Sequence, residues 1–261
     1  MKIFKQSLLL ITGIFVLMYI VFGGLIFVYQ RDSIYFPDKQ DFYNCPGFKD
    51  ADKININGTR AYFKKNSDKL IVFYHGNAGS ACQRANLLEI FNEPTISFLF
   101  VEYTGYSNSN DKPTKNALFK NVTDVNGFIQ KYNFSSVYVI GESLGSALAS
   151  YHASLNSNYK LLLISPFYKL ANIAKSSYPI YPISFMLLDN YDNSKYVNTF
   201  NTVTIIHGEQ DQIIPILESK KYFENITSKN KQFISIPGAG HNGLYGIPTV
   251  QQEIFNFLKN K

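Results

Sequence analysis

Short apolar runs of strand length alternate along most of this chain with longer stretches of helical periodicity, and this alternation restricts the possible folds more than any other feature. The apolar runs are continuous, as in LIVFY at 70–74 and LLLI at 161–164. Strands have this pattern when both faces of a sheet are buried, as in parallel sheets covered by helices. The sequence therefore predicts an α/β fold with a mostly parallel central sheet and helices on both faces.

Seven strands and five helices are predicted in the part of the chain that follows residue 53. The strands are expected at 54–64, 69–75, 97–103, 137–141, 160–165, 202–208 and 232–236, and the helices at 81–92, 115–132, 144–154, 214–228 and 249–259. A Tyr- and Pro-rich stretch at 168–200 interrupts the alternation between two strands. We expect it to form a small inserted cap.

The N-terminal part of the chain has the composition of a membrane anchor. Residues 8–29 are 22 consecutive residues without a charge, preceded by Lys2 and Lys5 and followed by Arg31. Such a run is long enough to cross a bilayer core of about 30 Å. A retained signal anchor over residues 1–30 is therefore expected. The alternatives are a buried core helix and a cleaved signal peptide, although the latter normally has a shorter apolar stretch and an Ala-x-Ala-like site, which this sequence lacks.

More positive charge precedes the apolar run than follows it. The positive-inside rule then predicts a short cytoplasmic N-terminus, with a single catalytic domain over residues 31–261 on the periplasmic or extracellular side. The net charge is +6, and the lysines are scattered instead of forming a basic stripe, so no nucleic-acid partner is expected. Cys45 and Cys82 lack metal-site spacing and are expected to be unpaired, although a single disulfide is possible in an oxidising compartment.

One motif carries a specific chemistry. The pentapeptide Gly141-Glu142-Ser143-Leu144-Gly145 directly follows a predicted strand and directly precedes a predicted helix. This strand-turn-helix context is the one that a G-x-S-x-G nucleophile elbow requires, because the turn is too sharp for larger flanking side chains and exposes the serine hydroxyl. The sequence therefore predicts Ser143 as a nucleophile. The alternative is a glycine-rich turn with an incidental serine.

A serine nucleophile needs a base and an acid, which in this arrangement follow it in the order Ser, Asp/Glu, His. His241 lies in a glycine-rich loop after the last predicted strand, whereas His152 is nine residues into a helix and His207 is inside a strand. Asp211 follows the preceding strand and is favoured over Glu209 because hydrophobic residues beside it would shield it. A helix-capping role for Asp211 is the alternative.

The stretch His75-Gly-Asn-Ala-Gly79 closes another predicted strand. Folds of this kind donate an oxyanion-hole amide from this position and a second one from the residue after the nucleophile. The predicted donors are therefore the main-chain N–H groups of Asn77 and Leu144. His75 precedes the serine and is expected to tether its loop instead of acting as a base.

Together these segments resemble the α/β-hydrolase superfamily, and within it the membrane-anchored serine hydrolases of the bud-emergence and depalmitoylase-like group. The resemblance runs from about residue 32 to the end of the chain and also includes Glu102-Tyr-Thr-Gly-Tyr-Ser107 and Ser165-Pro-Phe167. It implies an esterase, lipase or thioesterase whose triad falls on Ser143, Asp211 and His241. Glu102 and Thr104 depart from the residues usual in relatives, which leaves the substrate preference open.

The sequence thus predicts a membrane-tethered serine hydrolase that cleaves a carboxylic ester or thioester through an acyl-enzyme. This chemistry needs no metal and no organic cofactor. The aromatic cap beside a membrane anchor suggests an acyl or lipid-like substrate, or an acylated protein. The competing hypothesis is a non-catalytic membrane scaffold or ligand-binding protein that keeps the fold.

Overall fold

The computed structural model describes residues 2–91 and 95–259, which form a central sheet of eight strands. The strands are β1 (Asp52–Ile56), β2 (Thr59–Lys64), β3 (Lys69–Tyr74), β4 (Ser97–Glu102), β5 (Ser136–Glu142), β6 (Lys160–Ile164), β7 (Thr202–Gly208) and β8 (Asn230–Ile236). Their order across the sheet is β8-β7-β6-β5-β3-β4-β2-β1, and every pairing is parallel except β1 with β2 and β2 with β4. The prediction of a mostly parallel sheet is confirmed.

Helices connect the parallel strands. Those of eight residues or more are α1 (Lys2–Ile34), α2 (Lys115–Ile129), α3 (Gly145–Ser154), α4 (Leu170–Ser177), α5 (Ile216–Asn225) and α6 (Pro248–Lys259), and single helical turns lie at Leu87–Ile90 and Ile183–Met186. The ends of α2, α3, α5 and α6 lie within three residues of the predicted ends. This agreement is expected, because the apolar periodicity of a long helix follows from burial of one face.

Both faces of the sheet are covered, which explains the continuous apolar runs. Along β3, Val72 packs into one core cluster and Ile71 and Phe73 into the other. Neighbouring side chains of a strand point to opposite faces, so a strand that is covered on both sides needs apolar residues at every position. All three side chains are fully buried.

The stretch 54–64, predicted as one strand, is instead a hairpin of β1 and β2. Asn57 and Gly58 form its turn with φ of 52° and 97°. A two-residue hairpin turn of the type that matches strand twist needs positive φ at both positions, and Asn-Gly is the pair that adopts it most readily. The single-strand prediction was wrong because it did not weigh this dipeptide.

The helix predicted at 81–92 is also absent as a continuous element. A 3-10 turn at Cys82–Arg84 and a helical turn at Leu87–Ile90 replace it, and Asn92 lies outside the described residues. Cys82 is bonded to Cys45, with their Cα atoms 5.8 Å apart. The favoured expectation of two unpaired cysteines is therefore wrong. Their sequence separation of 37 residues gave no sign that the fold would bring them together.

The helix α1 extends from the sheet domain, and its residues 3–34 are long and apolar enough to span a membrane. Nearly all of its side chains are exposed. The segment that was expected to form a cap contains α4 and the helical turn Ile183–Met186, and it lies against the C-terminal half of α1. Arg31 of α1 forms an ion pair with Asp189 at 2.7 Å.

Candidate active site

The turn after β5 has the geometry of a nucleophile elbow. Ser143 has a φ of +50°, which a residue with a side chain seldom adopts, and its N–H donates to the carbonyl of Ile164 at 2.9 Å. A Cβ atom at Gly141 would lie 2.4 Å from the carbonyl oxygen of Gly145, and one at Gly145 would lie 2.2 Å from the carbonyl oxygen of Tyr74. Both glycines are therefore required by the close approach of α3 to the sheet.

The three residues predicted as a triad lie together in the structure. His241 Nε2 is 3.0 Å from Ser143 Oγ, and His241 Nδ1 is 2.6 Å from Asp211 Oδ2. The Asp211 side chain is fully buried, and that of His241 is 10% exposed. This arrangement allows the imidazole to accept the serine proton while the carboxylate fixes its tautomer.

Asp211 is held by the chain that follows it. Its Oδ1 accepts hydrogen bonds from the main-chain N–H groups of Ile213 at 2.9 Å and Ile214 at 2.8 Å. Burial raises the pKa of this carboxyl, but hydrogen bonds from His207, His241 and Ile214 outweigh burial and leave the pKa below its ordinary value. Asp211 is therefore a carboxylate throughout the neutral range. It holds the turn at Ile213 and Ile214 but does not cap α5, whose N-cap residue is Pro215 with no side-chain hydrogen bond.

The loop after β3 lies beside the serine. A Cβ atom at Gly76 would be 3.6 Å from Ser143 Cβ, so the backbone of this loop passes close to the nucleophile. The carbonyl of Asn77 accepts hydrogen bonds from the Phe36 N–H at 3.0 Å and the Tyr106 hydroxyl at 2.8 Å. These bonds fix the peptide plane that follows Asn77. Leu144, the other predicted donor of an oxyanion hole, is buried at the start of α3.

Comparisons with known proteins agree with this architecture. A family model described as serine aminopeptidase, S33, matches residues 65–199, which are 135 of the 261 residues. The chain belongs to this α/β-hydrolase family.

Relatives and solved structures extend the comparison beyond the matched segment. An uncharacterized protein of Mycobacterium tuberculosis is 27% identical over 236 residues, which cover 84% of this chain and 84% of the relative. Est1E from Butyrivibrio proteoclasticus, solved with ferulic acid, superimposes with a TM-score of 0.65 at 21% identity and covers 80% of this chain and 98% of its own. An esterase of Pyrococcus furiosus gives a TM-score of 0.63 at 17% identity, over 80% and 89% of the two chains. At these identities the solved structures show the fold alone.

The α/β hydrolase carries a second histidine beside Asp211 that sequence reasoning did not assign to the site. His207 Nε2 is 3.2 Å from Asp211 Oδ2 and 2.9 Å from the carbonyl of Ile214, and its Nδ1 is 2.5 Å from Ser219 Oγ. His207 is completely buried at the end of β7. Its position four residues before Asp211 was visible in the sequence, but the bend that brings the two side chains together was not.

In the hydrolase, the carboxylate of Glu142 connects the nucleophile turn to the loop after β3. Glu142 Oε1 accepts hydrogen bonds from the Gly76 N–H at 2.9 Å and from Arg84 Nε at 2.6 Å. The carboxylate thus fixes the position of Gly76 beside Ser143. Glu142 occupies an unrestricted position of the G-x-S-x-G motif, so the motif gave no indication of this role.

His75 of the hydrolase lies beneath the same loop. Its ring is buried and stacks on Tyr103 with centroids 3.8 Å apart, and its Nε2 is 3.6 Å from Glu102. The Tyr103 hydroxyl donates to the His75 carbonyl at 2.5 Å. His75 therefore holds the end of β3 in place. These interactions join it to Tyr103 and Glu102 and do not involve Ser143.

A pocket of about 710 Å³ opens over Ser143 and His241. Its volume lies in the range of about 300–1,000 Å³ that is usual for small-molecule sites. The residues that contribute to its wall include Ser33 and Phe36, which come from the end of α1 and the chain just after it. The hydrolase pocket is therefore bounded in part by the apolar N-terminal helix.

Proposed function

We propose that this α/β hydrolase is a membrane-anchored serine hydrolase that cleaves carboxylic esters or thioesters. The observation that carries the proposal is the hydrogen-bonded series Ser143–His241–Asp211, with distances of 3.0 Å and 2.6 Å. Nucleophile, base and orienting acid in hydrogen-bond contact are the minimum that an activated serine requires. The Pyrococcus furiosus protein of the same fold is described as an esterase, which agrees with this chemistry.

The reaction runs through an acyl-enzyme. Ser143 Oγ attacks the acyl carbonyl carbon while His241 Nε2 takes its proton, and His241 then passes that proton to the leaving alcohol or thiol. His241 next removes a proton from water, which attacks the acyl carbonyl carbon of the acyl-enzyme. The bond from that carbon to Ser143 Oγ then breaks, His241 returns the proton to Ser143 Oγ, and the carboxylic acid is released. The main-chain N–H groups of Asn77 and Leu144 stabilise the oxyanion in both halves of the reaction. Asp211 stabilises the imidazolium that forms each time.

The pocket favours an ester over an aminopeptidase substrate. An aminopeptidase needs an unpaired carboxylate to bind the free amino group of its substrate. Among the described residues that line the pocket, Glu142 carries the one carboxylate. Its Oε1 is already paired with Arg84 Nε at 2.6 Å. The family name therefore does not extend to this site, and an uncharged acyl group is the better fit.

The same proposal assigns the parts of the chain. Residues 1–30 act as the membrane anchor, 31–261 as the catalytic domain and 168–200 as its cap. The catalytic domain lies on the non-cytoplasmic side, in the orientation expected from the basic residues near the N-terminus. The Cys45–Cys82 disulfide supports this side, because disulfides persist in oxidising compartments.

The test is hydrolysis by the full-length protein in detergent micelles, with p-nitrophenyl esters from C2 to C16, a thioester and an aminoacyl p-nitroanilide. Ser143→Ala is expected to lower kcat by at least about 10⁴-fold, the usual effect of losing a serine nucleophile. Ser146→Ala is the matched control, because the Ser146 hydroxyl is buried on the first turn of α3 and has no hydrogen-bond partner among the described residues.

A fluorophosphonate probe provides a second readout, because it labels an activated serine whatever the substrate. Labelling is expected at Ser143 and is expected to disappear in Ser143→Ala. If the wild-type protein hydrolyses none of these substrates and the probe does not label it, the serine-hydrolase proposal is wrong and a binding protein is the better description. Faster cleavage of the anilide than of every ester would instead indicate a peptidase.

A further inference from the structure

The cap contacts α1 well inside the apolar run of the helix. The ring of Tyr181 stacks on that of Tyr19, with centroids 4.6 Å apart, and the Tyr19 hydroxyl donates to the carbonyl of Ile180 at 3.0 Å. A Cβ atom at Gly23 would lie 3.0 Å from the Tyr181 ring, so glycine makes room for the ring on the helix. The tip of the cap is therefore fitted to the apolar part of α1.

A second set of contacts fixes the base of the cap at the end of the apolar run. Leu188 N–H donates to Gln30 Oε1 at 2.7 Å, and Arg31 pairs with Asp189 at 2.7 Å. Tyr19 precedes Tyr29, the last residue of the run, by ten residues, which is about 15 Å along a helix. This distance is half of a bilayer core of about 30 Å. A cap that reaches from Arg31 to Tyr19 thus extends through about one leaflet.

The composition of the cap tip, residues 176–188, suits a position within one leaflet of the bilayer core. Residues 176–188 contain no charge, and Lys175 and Asp189 flank them. Phe185 is 93% exposed and Ile180 is 70% exposed, although both lie in a folded segment. Main chain outside regular helices is tolerated in the hydrocarbon core of a membrane only where its N–H and C=O groups are hydrogen-bonded or absent. Pro179 and Pro182 have no N–H, and the Ile180 carbonyl accepts a hydrogen bond from the Tyr19 hydroxyl.

Between α1 and the cap lies a groove of about 420 Å³. Leu25 and Ile26 line it from the helix, and Ile173 and Leu187 line it from the cap, with no charged side chain among its described lining residues. Ser33 lines both this groove and the pocket over Ser143. The groove and the pocket are therefore adjacent at the end of α1.

We propose that this groove receives the acyl chain of a bilayer lipid ester, which reaches Ser143 from the membrane without passing through water. The inference rests on the proposed function. The cap tip lies in the outer half of the bilayer, the acyl chain lies between α1 and α4, and its carbonyl carbon is attacked by Ser143 Oγ. The alcohol portion of the lipid leaves with the proton from His241, and water then releases the fatty acid.

The first test measures insertion of the cap and does not depend on activity. The chain has no Trp, so a single introduced Trp is the only indole. In full-length protein reconstituted with brominated phosphatidylcholine, the emission of Phe185→Trp is expected to be quenched. Leu155→Trp, at the far end of α3 from Ser143, is the control and is expected to be unquenched. An unquenched Phe185→Trp would overturn the proposed depth of the cap.

The second test compares kcat/KM for a C16 ester and a C2 ester in the same vesicles. Ser177 lines the groove and its neighbour Ser176 does not, and both are exposed, so Ser177→Phe and Ser176→Phe form a matched pair. Ser177→Phe is expected to lower the C16-to-C2 ratio by about tenfold, which corresponds to withdrawing about two methylene groups from the groove. Ser176→Phe is expected to leave the ratio unchanged.

The outcomes separate this inference from the proposed function. Hydrolysis of both esters, with a ratio that Ser177→Phe does not change, would overturn the groove and leave the serine hydrolase intact. Hydrolysis of neither ester by the wild-type protein, together with no fluorophosphonate labelling of Ser143, would overturn both. Labelling of Ser143 without hydrolysis of either ester would overturn the groove alone. An equal loss of activity toward both esters in Ser177→Phe would also overturn the groove, because it would show damage to the catalytic pocket instead of loss of a chain-length preference.

Discussion

At the scale of single residues, Asp211 is the part of the candidate site where several interactions converge. One carboxylate oxygen binds the N–H groups of Ile213 and Ile214, and the other lies within 3.2 Å of both His207 and His241. The first pair holds the carboxylate in place, and the second places two imidazole nitrogens against it. Such a group is expected to orient His241 and to stay ionised during turnover.

We expect Asp211→Asn to lower kcat for a p-nitrophenyl ester by about 10³–10⁴-fold with little change in KM. The amide is neutral and its nitrogen is a donor, so it no longer stabilises the imidazolium or enforces the Nδ1–H tautomer of His241. Steady-state kinetics of the full-length protein measure this effect. Glu209→Gln is the control and is expected to keep kcat within about twofold of the wild type, since Glu209 is exposed. The reverse result would move the acid of the triad to Glu209.

At the scale of elements, the disulfide shows how a local segment is fixed by a distant one. It joins the linker after α1 to the 3-10 turn at Cys82–Arg84, and Arg84 of that turn binds Glu142 beside the nucleophile. Periodicity alone favoured a helix here, because Leu87 and Phe91 are buried at helical spacing. The cross-link and the Arg84 contact instead divide the segment into two short turns.

Removal of the disulfide by Cys45→Ala together with Cys82→Ala is expected to destabilise the protein by about 3–4 kcal/mol, because the bond closes a long loop in the unfolded chain. For a domain of this size the midpoint of thermal unfolding should fall by about 10 °C. Differential scanning fluorimetry of the full-length protein in micelles measures the shift. Reductant should produce a similar fall in the wild type and none in the double variant. A wild type that is insensitive to reductant, with a thermal midpoint equal to that of the double variant, would contradict a stabilising bond.

At the scale of the whole molecule, the candidate site is assembled at one edge of the sheet. Ser143, Asp211 and His241 follow β5, β7 and β8, and Asn77 follows β3. Parallel strands direct all their carboxyl ends to the same edge, so residues that are far apart in sequence meet there. The end of α1 and the chain just after it line one side of the pocket at that edge. The stability of the sheet and the geometry of the site therefore depend on each other.

The whole fold is also expected to lose stability in mild acid through His152. This residue is fully buried, its Nδ1 is 2.9 Å from the Tyr74 hydroxyl, and burial lowers its pKa to about 3. The unfolded chain binds a proton at this histidine below about pH 6.5, whereas the folded chain does not until about pH 3. The contribution to stability is therefore complete above pH 6.5 and is lost as the pH falls from there toward 3.

Between pH 7.5 and pH 5 this effect should amount to about 2 kcal/mol. Urea unfolding of the full-length protein at both pH values measures it, with His152→Gln as the variant, because glutamine keeps a polar partner for Tyr74 but does not titrate. The variant should lose about 2 kcal/mol less than the wild type over this interval. Equal losses in the two proteins would show that His152 is not responsible.

The sequence by itself determined the α/β class, the parallel strands and the long helices, and it predicted the residues that meet at the candidate site. These features depend on local physical requirements. A strand covered on both faces needs continuous apolar residues, and the turn at Ser143 admits only glycine at Gly141 and Gly145. Asp211 and His241 were predictable because each follows a strand whose carboxyl end reaches the same edge.

Only the tertiary structure decided the contacts that depend on distant segments. It paired Cys45 with Cys82, placed His207 and Glu142 within the candidate site, and laid the segment expected to form a cap against α1, which leaves a groove beside the pocket over Ser143. None of these follows from periodicity or from a motif, because each depends on which surfaces meet after the sheet has formed. The physical reason is that burial fixes the pattern of apolar residues along the chain, whereas the pairing of individual polar, aromatic and sulfur groups is fixed by packing between elements.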